Sequence, residues 1–197
     1  MRRSAESVAG KYAVAERSAL VPSQRFTFKE AYAALSDKVT WDKGPYQRVS
    51  WARMEELKDK AFHEADKTFG PFCSVFDDPN AAGQFSRNDG HNDAFRHCYW
   101  NALMTRTFGK DFAAEFATAH ESLAGNQVKR EAMDLYNNEV GRGIAEKNPK
   151  ASEEELARLV RKAVQQGQVV VIDKLGILRW SDEIQVGHHG KTPPDHH

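Results

Sequence analysis

Carboxylate, imidazole and carboxamide side chains recur at one spacing in two places of the chain. Asp93, His97 and Asn101 stand four residues apart within DAFRHCYWN, and Asp134, Asn138 and Arg142 do the same within MDLYNNEVGR. On an α-helix that spacing draws one polar stripe over about an 80° arc. The other stripes of the first segment are apolar: Ala94/Cys98/Ala102, Phe95/Tyr99/Leu103 and Trp100/Met104/Phe108. A helix that is hydrophobic almost all round belongs in a core. Its polar stripe is then buried as well and needs partners. Two such stripes predict a polar site between packed helices.

His97 is the central residue. It can serve as a general base or as a metal ligand, with Asp93 one turn away to orient its ring. The plainer alternative is a core histidine that makes one hydrogen bond. His91 lies just before the helix, and His91, Asp93 and His97 make a metal-compatible run, although H-x-D-x3-H is not a closed ligand set. A divalent metal is the cofactor these residues admit; its need and identity stay open. Asp134 is expected to offer a second carboxylate across the cleft. His120 and Glu121 diverge by about 100° along their helix, so one is expected in the site and the other in a supporting bond. A surface Glu beside a packed His is the alternative.

Asn137 and Asn138 are poor helix formers, so a helix that keeps both is expected to use them; otherwise one of them ends it. Arg142, between Gly141 and Gly143, is expected to clamp an anion bidentately, against the alternative of a basic residue facing the helix dipole. A carboxylate with an imidazole can activate water, alone or on a metal, and an arginine can hold negative charge. The chemistry that suits these types is hydrolysis. Neither a G-x-S-x-G elbow, a P-loop, H-E-x-x-H nor a C-x-x-C pair occurs, so serine hydrolases, nucleoside triphosphatases, zincins and structural zinc sites have no local support.

These residues must be positioned by helices. Residues 1–20 predict a weakly amphipathic helix ended by Pro22, and Phe26 to Lys38 a short one capped by Thr27. Ser50 to Phe69 predicts a longer helix with Trp51, Met54, Leu57, Ala61 and Phe62 on its apolar face, stopped by Gly70-Pro71. Residues 71–90 are rich in turn formers and lead into the His97 helix. Helices are then expected over about 92–108, 111–124 and 127–145, with Gly109 and Gly125 at the joints. Ser152 with Glu155 reads as a capping box opening a further helix that ends near Gly167. Val169 to Asp173, a Lys-Leu-Gly turn and Ile177 to Trp180 read as a hairpin. From Gly187 the chain reads as a polar, disordered tail whose histidines lack a framework for a metal. The predicted fold is mainly α, a helical bundle with a small C-terminal β-hairpin. Residues 1–75 form a helical extension packing on the core, 76–186 the catalytic core and 187–197 the tail.

The 197 residues suit one domain with an extension. The 28 basic and 28 acidic side chains cancel, and no Lys/Arg block stands out, so nucleic acid is not favoured as a partner. Cys73 and Cys98 are too few for a disulfide scaffold, and their pairing is left open. No secretory signal or apolar span is read, so export would need a specialised machine or a carrier.

DAFRHCYWNALM, the following TAHE and MDLYNNEVGR, closed by G-x-L-x-W-S, resemble a family of largely uncharacterised bacterial domains found at the C-termini of polymorphic toxins and among secretion-system effectors. The likeness covers roughly Gly90 to Ser181, with Cys98 standing where small residues are usual. It implies a role in interbacterial antagonism. It also carries Asp93, Arg96, His97, Trp100, Asn101, His120, Glu121, Asp134, Asn137, Asn138 and Arg142 as motif positions, so Arg96 and Trp100 join the asparagines and Arg142 as expected substrate contacts. The expectation is an antibacterial effector hydrolase, delivered by a specialised system such as type VI secretion. It would act in the target-cell periplasm or envelope on a phospholipid or a lipid-linked or glycan precursor, and a cognate immunity protein would accompany it. A metal-dependent nuclease is the alternative among enzymes, and a non-catalytic helical binding module the alternative outside them.

Overall fold

The computed structural model describes residues 2–13, 51–70, 87–121 and 128–190; the side chains of Trp51, Ala119, His120 and Glu121 are not among the described features. The fold is mainly α, a helical bundle with a two-stranded antiparallel hairpin near the C-terminus. In chain order the elements are α1 (Glu6–Ala13), α2 (Trp51–Phe69), α3 (His91–Phe108), α4 (Lys110–Glu121), α5 (Val128–Lys147), α6 (Glu153–Gln165), β1 (Val170–Ile172) and β2 (Leu178–Trp180). The expected helix Phe26 to Lys38, the Ser50 cap, Cys73 and most of the loop 71–90 lie outside the described residues.

The bundle is built around α3, which packs against α2, α4, α5, α6 and β1. Its apolar stripes explain this position: Ala94, Phe95, Cys98, Ala102, Leu103 and Met104 are all fully buried. On α2, Met54, Leu57, Ala61 and Ala65 recur at helical spacing and are buried against it. Each fully buried Leu or Met contributes about 1.5–3 kcal/mol over an exposed one. Phe62, predicted on this face, instead lies at its edge under the Arg96 guanidinium, 4.7 Å from the ring centre. Gly109, at φ 97°, ends α3, and its N–H returns to the Thr105 carbonyl.

Helices α3 and α5 run parallel, since partner residues advance together along both. They also approach unusually closely. A Cβ added to Gly141 would stand 1.9 Å from the carbonyl oxygen of Cys98. Gly141 is therefore required by the helix crossing itself, which replaces the expectation that it opens the backbone beside Arg142.

Ser152 caps α6 by accepting from the Glu155 N–H at 3.1 Å, as its sequence predicts. In the hairpin Val170 pairs with Trp180 and Ile172 with Leu178. The period-2 geometry divides β1 between two cores. Val169 and Val171 join the main one; Val170 and Ile172 join a smaller one with Ala5, Val8, Met133, Leu178 and Trp180. Helix α1 closes that smaller core from outside.

The expected disordered tail is corrected at its start. Residues 187–190 fold back on the domain: His189 is 1 % exposed and bridges Asp173, and the Gly190 N–H donates to the Ile172 carbonyl at 2.9 Å. The His189 ring lies flat against Gly90, where a Cβ would come within 2.4 Å of it. A glycine-and-histidine run reads as solvated because the surface that accepts it joins Gly90 to Ile172 and Asp173, which only tertiary packing brings together.

Candidate functional site

The two polar stripes face each other along the α3–α5 seam and pair in successive rungs. At the first, Arg130 grips both carboxylate oxygens of Asp89 at 2.6 Å each. At the second, His97 Nε2 lies 3.5 Å from Asp93 Oδ1 and 3.5 Å from Asp134 Oδ1. At the third, Asn101 Nδ2 donates to Asn138 Oδ1 at 2.6 Å and to the His97 carbonyl at 3.2 Å, while its Oδ1 accepts from Arg142 Nη1 at 2.9 Å. Both stripes thus run one step further than the sequence analysis took them, to Asp89 on one side and Arg130 on the other.

Helix α3 starts from an unusual residue. Asp89 holds φ 63°, a left-handed conformation that Asp tolerates better than most side chains. Two contacts keep it there: the Arg130 fork on its side chain, and its own N–H, which donates to Asp93 Oδ2 at 2.7 Å. Asp93 therefore turns one oxygen to the helix start and the other to the site. The hydrogen bond to Asp89 raises Arg130 above its usual guanidinium value, against the opposing effect of burial.

Arg96 completes the centre. It donates to Asp93 Oδ1 and to the Arg87 carbonyl, and its Nη2 lies 3.2 Å from His97 Nε2. A guanidinium can only donate, so this contact favours a lone pair on Nε2. The two carboxylates at 3.5 Å favour a proton on the same nitrogen. His97 Nε2 thus faces a donor on one side and two carboxylates on the other. Side-chain exposures are 7 % for His97, 9 % for Asp93 and 11 % for Asp134, so the seam is nearly closed.

Among the described residues, Asp93, His97 and Asp134 are the group whose donor atoms converge, all within 4.8 Å of one another. This corrects the expected ligand set, because Asp134 takes the place of His91. The His91 ring turns away, its Nε2 2.8 Å from the Ser181 carbonyl, and burial lowers its pKa although the carbonyls of Ser181 and Ile184 oppose the shift. The donor types fit a divalent cation, but Arg96 already occupies two of the three atoms.

Two expected substrate contacts are engaged elsewhere. Asn137 is fully buried and clamps β1, donating to the Val170 carbonyl and accepting from the Val170 N–H, both at 2.9 Å. Trp100 is 5 % exposed and packs edge-on against Phe116 at 5.8 Å. Arg142 lies on the seam, yet two turns beyond Asp134, roughly 12 Å along the helix axis. Of His120 and Glu121 only the backbone position at the end of α4 is described. Cys98 is a free thiol, and complete burial pushes its pKa up, which makes it a poor nucleophile.

Sequence reasoning missed Asp89 and Arg130. Extending each i, i+4 stripe by one step would have found both.

No helix among the described residues is long and apolar enough to cross a membrane. No solved structure matches the chain. Residues 51–168 match a family described as a domain of unknown function, DUF6973, a span that opens at the first residue of α2 and stops just before β1. With more than half of its length inside that match, and the whole α3–α5 seam with it, the chain belongs to the DUF6973 family.

Proposed function

We propose that this chain is an antibacterial effector hydrolase acting on a cell-envelope substrate, a phospholipid or a lipid-linked or glycan precursor. The observation that carries the reading is His97 Nε2, fixed 3.5 Å from both Asp93 and Asp134 on facing helices. His97 takes the proton from an attacking water. Asp134 stabilises the imidazolium that forms, and Asp93, anchored at the start of α3, holds the geometry. A divalent cation, if used, would be held by Asp93, His97 and Asp134 and would supply water activation, with Arg96 displaced from the shared atoms. The toxin-like motifs support antagonism, and the balanced charge supports an uncharged or zwitterionic surface over a nucleic-acid groove. Delivery by a specialised secretion system and neutralisation by a cognate immunity protein belong to the same proposal.

A second reading rests on the closure of the seam. At 7 % side-chain exposure for His97, the rungs can be a purely structural network in a binding module. One experiment separates the two. The chain is expressed in bacteria with and without periplasmic targeting, alongside His97→Ala. Periplasmic wild type should reduce plating by about 100-fold or more, with membrane leakage preceding loss of nucleic acid, and folded His97→Ala should be harmless. Full toxicity from folded His97→Ala would sink the catalytic assignment. Cytoplasmic killing with early nucleic-acid breakdown would replace the substrate by nucleic acid. Absence of toxicity in both compartments would leave the binding module.

A further inference from the structure

Arg142 stands apart from the other arginines. Among the described residues every arginine is in an ion pair with a carboxylate except Arg142 and the exposed Arg3. Arg142 is half-buried, and its one hydrogen bond goes to a neutral amide, from Nη1 to Asn101 Oδ1. The Nε/Nη2 edge, the one that meets an oxyanion bidentately, has no partner among the described residues. The carboxylates nearest in the sequence are engaged elsewhere. Glu139 is held by Lys11 at 2.9 Å and by the Tyr12 hydroxyl, and Glu146 by Lys110 at 2.9 Å. Burial pulls Arg142 below its usual guanidinium value, with Glu139, Tyr12 and Glu146 opposing, as expected for a cation short of a counter-charge.

A second orphan follows one turn beyond Asn101, the residue that accepts from Arg142. It is Thr105, on the same stripe of α3. Its residue is 9 % exposed, and its Oγ1 is buried without a hydrogen-bond partner. A threonine hydroxyl on a helix ordinarily finds a carbonyl or water, and leaving it unmade costs about 1–3 kcal/mol.

We propose that Arg142 and Thr105 form a phosphate-binding subsite at the far end of the α3–α5 seam. The free edge of the guanidinium takes two phosphate oxygens and the hydroxyl a third, while Asn101, itself bonded to Asn138, fixes the fork from behind. This deepens the hydrolytic reading and, as a substrate subsite, rests on it. The subsite lies two helical turns from His97 and Asp134, on the order of 10 Å away. A substrate anchored there by its phosphate presents a different bond to His97. The substrate class is a phosphate-bearing ester or glycoside cleaved away from the phosphate, and the cleaved bond is not a phosphoryl bond.

Inorganic phosphate and, separately, acetate are titrated into the full chain, and binding is followed by calorimetry and by the Arg142 side-chain NMR signal. Phosphate should saturate one site. Arg142→Met should weaken it at least tenfold, Thr105→Val several-fold, and His97→Ala not at all; acetate should bind several-fold more weakly. If Arg142→Met fails to fold, Arg142→Lys keeps the charge, loses the fork and should still weaken binding. Absence of saturable phosphate binding, unchanged binding in folded Arg142 variants, or acetate binding as tightly as phosphate would each overturn the subsite. A toxic protein that binds no phosphate overturns this proposal alone. Phosphate binding by a chain without toxicity keeps the anion site and removes only its substrate role.

Discussion

Two charged regions of the domain are built on opposite plans. At the start of α6, Glu153 is surrounded by cations: Arg106 at 2.9 Å and Arg53 at 3.3 Å on one oxygen, Lys60 at 2.8 Å on the other. It ties α2, α3 and α6 together, helped by the Tyr99 hydroxyl donating to its carbonyl at 3.0 Å. Burial alone would raise its pKa, but Lys60, Arg106 and Arg53 lower it. The side chain is 27 % exposed, so water shares the load and any one cation is replaceable. The α3–α5 seam is drier, and its groups are held in fixed geometry by the two helices. The first region is cross-linking. The second holds ionisable groups close together without neutralising each of them, and chemistry needs that second condition.

The largest effect should come from breaking the seam's spacing. Gly141→Ala would drive a Cβ into the Cys98 carbonyl, a backbone atom that cannot rotate away. The helices must part, and we expect a loss of about 3 kcal/mol or more by urea denaturation. A wild-type midpoint in this variant would show that the crossing is looser than described.

Next comes the contrast between neighbouring functions on α5 and α3. Asn137→Ala strands both the N–H and the carbonyl of Val170 in the core and should cost about 2–3 kcal/mol. His97→Asn removes a ring that faces a donor and two carboxylates and should cost less than about 1 kcal/mol. Equal losses from the two variants, in the same denaturation assay, would identify His97 as structural cement and favour the binding-module reading.

The smallest effect belongs to the open cluster. Glu153→Gln should cost about 1 kcal/mol at neutral pH. Its carboxylate, like that of Asp66 beside Arg87 and Asn92, titrates lower in the folded protein than in the unfolded chain. Stability from such groups is present above the unfolded value, near 4, and is lost as pH falls through the folded one. Wild-type stability should therefore drop below about pH 4, and Glu153→Gln should drop less steeply. Parallel pH profiles of the two proteins would exclude Glu153 from the acid response.

The seam was the most legible part of the molecule. Asp93, His97, Asn101, Asp134 and Asn138 all lie on it, because four-residue spacing on a helix places side chains on one face whatever surrounds them. The Ser152 cap and the Lys-Leu-Gly turn of the hairpin were equally local and equally readable. Asn137 and Asn138 mark where reading stopped. They are the same residue type, about 100° apart on one helix, and only the position of β1 decides that one clamps a strand while the other lines the seam. Trp100 turns to Phe116, His91 to Ser181 and His189 to Gly90 for the same kind of reason.

The sequence by itself determined which side chains share a face, where helices begin and end, and that a buried polar stripe must find partners. Tertiary structure alone decided which partners those were: His91 turned to the Ser181 carbonyl and away from His97, Cys98 as the reason for Gly141, and no carboxylate for Arg142 among the described residues. The physical cause is one of range. Helical periodicity is set by the backbone over four residues, whereas these pairings join groups about 40 to 100 positions apart and exist only once the core has packed.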